Sequence, residues 1–408
     1  MKRSLSLALA LSATFPAVAH AEWGAQDNVP AATLLFPYAE ADLDAANGKD
    51  TILGISNREP NATLTNVVVW SEAGVPVLRF NVYLTGYDVE VFRLRDVLTG
   101  TLPATATDGQ DQADTISPQG DQSQDINFAT CNGVLPYAAL DATEVARVQA
   151  ALTGSPLPGQ TGRCAAPARG DRVARGYVTV DVVNSCDPRF PGEDGYFLPN
   201  GGGVAARQNR LLGEFFLVDG TQTAGAPAVH LEAGVANNTY LPTFYGRLVG
   251  HSGLDGREPL AGNYAIPYVT GRAELLVWRD PKVAVTDFAC DEGPGYGTLP
   301  LEALWVFDRQ EEVLDFSQRP LFPHVVTRTV VGEAALPVVA REGWMHLSLH
   351  HRGDPTELAP AMDPDAAQGV VLVLTHPERQ GAVRPFLSLQ RAAATDDALR
   401  PAHLGSYP

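Results

Sequence analysis

Apolar residues along this chain recur in short alternating runs, and almost every run ends at a Gly, Pro, Asn or Asp. Alternation with period two, bounded by turn-forming residues, predicts β-strands. On this pattern strands are expected over residues 33–36, 51–56, 64–70, 77–84 and 88–94, with turns at Asn47-Gly48 and Thr85-Gly86. Further strands are expected over 176–183, 212–218, 228–233, 273–278, 303–307, 325–331, 344–350, 370–375 and 385–390. Only 142–152 has helical spacing: Val145, Val148 and Leu152 share one face, and Asp141 stands where an N-cap belongs. The expected fold is mainly β, in β-sandwich-like units of immunoglobulin-like architecture with one short helix and two disulfides.

The alternation lapses over 104–125, where Gly, Gln, Ser and five aspartates replace it. A segment of that composition cannot bury enough apolar surface to order itself, so 106–125 reads as an acidic linker or loop. It divides the chain into an N-terminal unit, 22–105, and a larger unit, 126–408, which could divide again near Cys290. The last strands, from Trp344 onward, could also return to the first sheet. A second loop is expected over 352–368, which is rich in Pro and Asp.

The first twenty-one residues add a compartment. Lys2 and Arg3, the apolar stretch 5–13, and Ala19-His20-Ala21 have the order of a signal peptide cleaved near Ala21. The expected location is therefore secreted or periplasmic. No later apolar run reaches the roughly twenty residues of a membrane helix. In an exported chain Cys131, Cys164, Cys186 and Cys290 read as a disulfide set with three possible pairings. The favoured one joins Cys131 to Cys164, across a helix and a Gly/Pro turn, and Cys186 to Cys290.

With 29 Lys and Arg against 47 Asp and Glu the net charge is −18, and −20 once Lys2 and Arg3 are removed. There is no basic run, which argues against nucleic acid or an anionic membrane as partner.

Several segments resemble a group of exported bacterial β-rich proteins. The resemblance is carried by Leu34-Leu35-Phe36-Pro37-Tyr38, by Val69-Trp70, and by the segment 80–88 with its Tyr83-Leu84-Thr85-Gly86-Tyr87-Asp88, followed by Leu94-Arg95-Asp96. It continues in 176–186, Gly-Tyr-Val-Thr-Val-Asp-Val-Val-Asn-Ser-Cys, and in Phe244-Tyr245-Gly246-Arg247. The group has no assigned activity, so the resemblance implies a secreted β architecture over most of the chain and transfers no catalytic residue.

Candidate chemistry is sparse. Gly250-His251-Ser252-Gly253 lacks the final glycine of a nucleophile elbow, because Leu254 follows. His346 and His350 would share a strand face about 13 Å apart by strand rise, too far for one metal ion, with His351 beside them. Glu90, Asp181 and Glu232 lie in expected strands where a carboxylate could be buried and shifted. The acidic segment supplies the one weak metal candidate, calcium on Asp108, Asp111, Asp114, Asp121 and Asp125, although their spacing matches no EF-hand loop. Trp70, Tyr83, Tyr87, Tyr245 and Trp278 fall at strand ends or turns, where rings could stack on a ligand. Three function classes follow. The leading one is a non-catalytic exported structural or surface-interaction protein, its partner a polysaccharide or another cell-surface protein. The second is a glycan-binding module, which requires an exposed aromatic row on one sheet face. The third is a secreted hydrolase, calcium-assisted or not, which requires a cleft with converging carboxylates or histidines.

Overall fold

The computed structural model describes residues 29–103, 129–131, 134–135, 137–198, 201–233, 257, 260–281, 283–299, 301–316, 319, 321–349, 368–376 and 386–389. The expected signal peptide, the acidic segment 106–125, Tyr245, Ser252, His350 and His351 lie outside the described residues.

The fourteen expected runs form strands, and five strands that were not expected bring the number among the described residues to nineteen. The first ten are β1 (Thr33–Asp42), β2 (Lys49–Asn57), β3 (Thr63–Ser71), β4 (Pro76–Leu84), β5 (Val89–Arg93), β6 (Arg163–Cys164), β7 (Val173–Val182), β8 (Leu211–Asp219), β9 (Gln222–Pro227) and β10 (Val229–Leu231). The others are β11 (Asn263–Val269), β12 (Ala273–Arg279), β13 (Phe288–Ala289), β14 (Ala303–Asp308), β15 (Val313–Asp315), β16 (Val326–Val330), β17 (Glu342–Ser348), β18 (Gly369–Thr375) and β19 (Phe386–Leu389). Two helices accompany them, α1 (Leu94–Leu98) and α2 (Ala142–Thr153), one more than expected. α2 starts where Asp141 accepts hydrogen bonds from the Thr143 and Glu144 amides, both at 2.8 Å. It stops at Gly154, whose φ of +69° and approach to the Pro167 carbonyl leave no room for a Cβ.

Two sandwiches result. In the first, a five-stranded sheet ordered β10-β1-β7-β3-β4 faces a four-stranded sheet ordered β5-β2-β8-β9. Phe36 meets Phe215 edge to face between them, with ring centroids 6.0 Å apart. In the second, β16-β12-β18-β19 faces β11-β17-β14-β15, and Leu275, Val277, Val371 and Val373 pack with Ile266, Leu304, Val306, Met345 and Leu347. Every named strand pair in both is antiparallel.

The division expected at 106–125 does not follow the sheets. β1 lies between β7 and β10, and β2 between β5 and β8, so strands from both sides of that segment share each sheet of the first sandwich. The reason is visible in β3, whose nine residues are all buried. One of its edges pairs with the next strand, β4, but the other pairs with β7 from beyond that segment. The change of sandwich falls instead between β10 and β11.

Disulfide pairing also departs from expectation: the bonds are Cys131–Cys186 and Cys164–Cys290. The segment from Cys131 to Cys164 does not close on itself, because the twelve residues of α2 carry the chain about 18 Å onward. β6 then pairs with β13, setting Cys164 opposite Phe288 and beside Cys290. Near Cys131, the Cys186 amide donates to Thr130 Oγ1 at 3.1 Å.

The two sandwiches share a core. The β16-β12-β18-β19 sheet is apolar on both faces, and Leu276, Trp278, Val326, Val370 and Leu372 pack into the first sandwich's core. Trp70 stacks on Tyr177 at 5.4 Å, and Tyr177 meets Trp278 edge to face at 5.7 Å. Among the described residues no helix is long and apolar enough to cross a membrane.

Candidate functional site

The outer face of the β11-β17-β14-β15 sheet is aromatic. Alternation turns Tyr264, Ile266, Leu304, Val306, Met345 and Leu347 inward, and therefore turns Ala265, Pro267, Trp305, Phe307, Trp344 and His346 outward. The register then assembles two rows. Trp344 lies opposite both Pro267 and Phe307, and Phe307 opposite Val313; His346 lies opposite both Ala265 and Trp305, and Trp305 opposite Asp315. Phe307 and Trp344 stack with centroids 3.9 Å apart and planes 9° apart, and Trp305 and His346 stack at 5.4 Å and 23°. Trp344 is 41% exposed and Trp305 36%, and Val313 is also open to solvent. Burial holds the His346 pKa below its ordinary value, so the imidazole is neutral at neutral pH and carries one donor and one acceptor nitrogen. At the rim Arg309 pairs with Glu342 at 2.7 Å, and Ser348 Oγ donates to Glu302 at 2.5 Å.

The rings singled out from sequence lie elsewhere. Trp70, Tyr83 and Trp278 are 2%, 3% and 1% exposed, and so belong to the core. Trp70 even spends its indole N–H on Thr179 Oγ1, at 2.9 Å. Tyr87 is exposed, at a positive φ of 58° in the turn before β5. The face that does assemble was signalled by the run Ala303-Leu304-Trp305-Val306-Phe307, which is apolar at both inward and outward positions. A strand of a two-layer sandwich needs only one apolar face, so the second marks either a further layer or an exposed patch.

The carboxylates considered from sequence are held in three different ways. Asp181 is fully buried and accepts from Thr33 Oγ1 at 2.5 Å and Tyr196 OH at 2.7 Å, with the buried Arg257 guanidinium 3.9 Å away. It belongs to a polar row across the sheet, Thr33–Asp181–Asn66–Asn81 on neighbouring strands. Glu90, on the edge strand β5, is pushed up to about 7 by burial and, secondarily, by Asp88. Glu232 is partly buried. Asp181 and Glu90 lie in different sheets of the first sandwich.

A small cleft of about 30 Å³ opens where the sandwiches meet, beside Glu40, Asp219, Gln222, Arg328 and His376. Glu40, Arg328 and His376 are engaged in one ion-pair network. Glu40 accepts from Tyr38 OH at 2.9 Å and Arg328 at 2.8 Å and lies 3.5 Å from Lys49. Arg328 also donates to Glu274, which His376 contacts at 2.6 Å. For Glu274, burial raises the pKa but Arg328 and His376 more than offset it, and the carboxyl titrates below its ordinary range. An acid so held is ionised and is not a proton donor at neutral pH. Among the described residues no group of three or more His, Cys, Asp or Glu side chains is placed to hold a metal ion, and the calcium candidates Asp108 to Asp125 lie outside them.

The chain matches no family model, no curated protein and no solved structure. Its functional reading therefore rests on its own surface.

Proposed function

We propose that this chain is an exported, non-catalytic surface-interaction protein that meets its partner through the outer face of the β11-β17-β14-β15 sheet. The observation that carries the reading is the pairing of Trp305 and Trp344 with His346 and Phe307 on neighbouring strands of that face. Of the four tryptophans in the described residues, Trp70 and Trp278 are buried and these two are not. Monomeric proteins seldom leave contiguous aromatic surface to water, and where they do it commonly serves recognition. The signal-like segment 1–21 and the two disulfides support export, since disulfides persist in oxidising compartments. The saturated pairing of Glu40, Glu274 and Asp181 favours this reading over a hydrolase, which needs an acid and a base facing one substrate.

The test is binding of the labelled full-length mature chain to the envelope of the producing cells, compared with the W305A/W344A variant. Retention that falls sharply in the variant supports the reading. Retention that does not change places the interaction elsewhere and refutes it.

A further inference from the structure

The aromatic face has a size, a shape and a charge setting that narrow its partner. Each tryptophan offers a total surface near 250 Å², so at 41% and 36% exposure the two indoles uncover on the order of 100 Å² each. With Phe307, His346, Pro267 and Val313 the patch amounts to a few hundred Å², well short of the roughly 800 Å² per partner of a stable protein interface. The aromatic rows alone do not cover the surface that a second copy of this chain or a folded protein would bury. Trp305 and Trp344 are both open to solvent and lie on neighbouring strands, which suits an extended ligand better than a compact small molecule held in a pocket.

The pairing repeats along the sheet. Trp305 and Phe307, like His346 and Trp344, are two residues apart on their strands, so the two stacked pairs are offset by about 7 Å. Each stacked ring spends one face on its neighbour, and the exposure of Trp305 and Trp344 leaves part of each indole for a ligand. Around them stand hydrogen-bonding groups at the rim, Asp315 opposite Trp305 and the Arg309–Glu342 pair. The carboxylates outnumber the cations there, as Asp308, Glu311 and Glu312 occupy the β14–β15 turn beside Arg309.

We propose that this face binds a neutral polysaccharide chain, laying successive sugar rings against the Trp305–His346 and Phe307–Trp344 pairs. The proposal rests on the reading of this face as the interaction surface. A pyranose presents a face of C–H groups bearing partial positive charge, which complements the negative face of an aromatic ring. Its equatorial hydroxyls reach outward to the polar rim. A linear polymer, unlike a single sugar, occupies both pairs at once and gains affinity from each. The acidic rim and the chain's net charge of −18 oppose polyuronates and sulfated glycans.

The experiment measures retention of the full-length mature chain by insoluble cellulose and chitin, and its mobility in native gels containing xylan, laminarin or polygalacturonate. The wild type, W305A/W344A and W305F/W344F are compared, with urea midpoints confirming that all three are folded. The expected result is binding to at least one neutral polymer, weakened about thirtyfold or more in W305A/W344A and partly kept in W305F/W344F. Neutral-polymer binding that is undiminished in W305A/W344A, or binding to polygalacturonate alone, overturns the proposal. If no polymer binds, the proposal also falls, and the envelope assay separates the two failures. Envelope retention lost in W305A/W344A then leaves the interaction face standing with a partner that is not a glycan, whereas unchanged retention removes both.

Discussion

Replacing Arg328 by Met should loosen the junction of the two sandwiches while preserving a long, unbranched side chain. Arg328 extends from β16 of the second sandwich, pairs there with Glu274 on β12, and reaches Glu40 on β1 of the first at 2.8 Å. The side chains of Glu40 and Glu274 are 4% and 12% exposed, and that of Arg328 22%. Removing one member of a buried pair costs about 3 to 5 kcal/mol, because the remaining charge is left desolvated and unmatched. Two residual contacts soften the loss, Lys49 to Glu40 at 3.5 Å and His376 to Glu274 at 2.6 Å. The expected cost is therefore at the lower end, about 3 kcal/mol at pH 7.

That cost should also depend on pH. In the wild type the folded-state pKa of Glu274 is depressed, so its ion pairing contributes stability above the unfolded value, near 4.3, and loses it as pH falls through the folded value. In Arg328→Met burial is opposed by His376 alone, and Glu274 takes up a proton at higher pH. The gap between the two proteins should then narrow between pH 7 and pH 3.5. Urea denaturation followed by tryptophan emission is a suitable assay, since Trp70 and Trp278 lie at the same junction. A loss under about 1 kcal/mol at pH 7, the range of a surface pair, or a gap of constant size across this range, would show that the network does not hold the sandwiches together.

Three further outcomes are expected. Peptide mapping of the unreduced chain should recover Cys131 with Cys186 and Cys164 with Cys290, and a fragment joining Cys131 to Cys164 would sink the pairing; replacing each pair by Ser should cost about 4 and about 5 kcal/mol, because the bonds span 55 and 126 residues. Glu90→Gln should stabilise the protein at pH 8 and have no effect at pH 4: the raised folded pKa, about 7, means that stability is lost as Glu90 ionises between about 4.3 and 7, and superimposable pH–stability curves would contradict this. Gly176→Ala should disrupt the β3–β7 register, since its Cβ would lie 1.8 Å from the Trp70 carbonyl oxygen; a urea midpoint within error of the wild type would show that the strands can part without penalty.

The chain's own pattern decided most of the local structure. Short apolar runs bounded by turn residues marked β3, β4, β8, β12, β14, β17 and β18, and Asp141 and the spacing of Val145, Val148 and Leu152 marked α2, because such patterns are properties of a few consecutive residues. Local pattern is silent on which strand sits beside which. That β1 pairs with β7 and β10, that β6 draws Cys164 to Cys290, and that the first sandwich closes across 106–125 were settled by which apolar faces could cover one another. The binding face shows the same limit. A linear reading offers Trp70, Tyr83 and Trp278 either as core or as ligand-stacking rings, and tertiary packing buries them, while Trp305 and Trp344, ordinary members of two separate apolar runs, are set opposite His346 and Phe307 and left open to water. Burial belongs to pairs of elements brought together from distant parts of the chain, so the sequence defined the strands and only the tertiary structure chose which aromatic rings remain free to meet a partner.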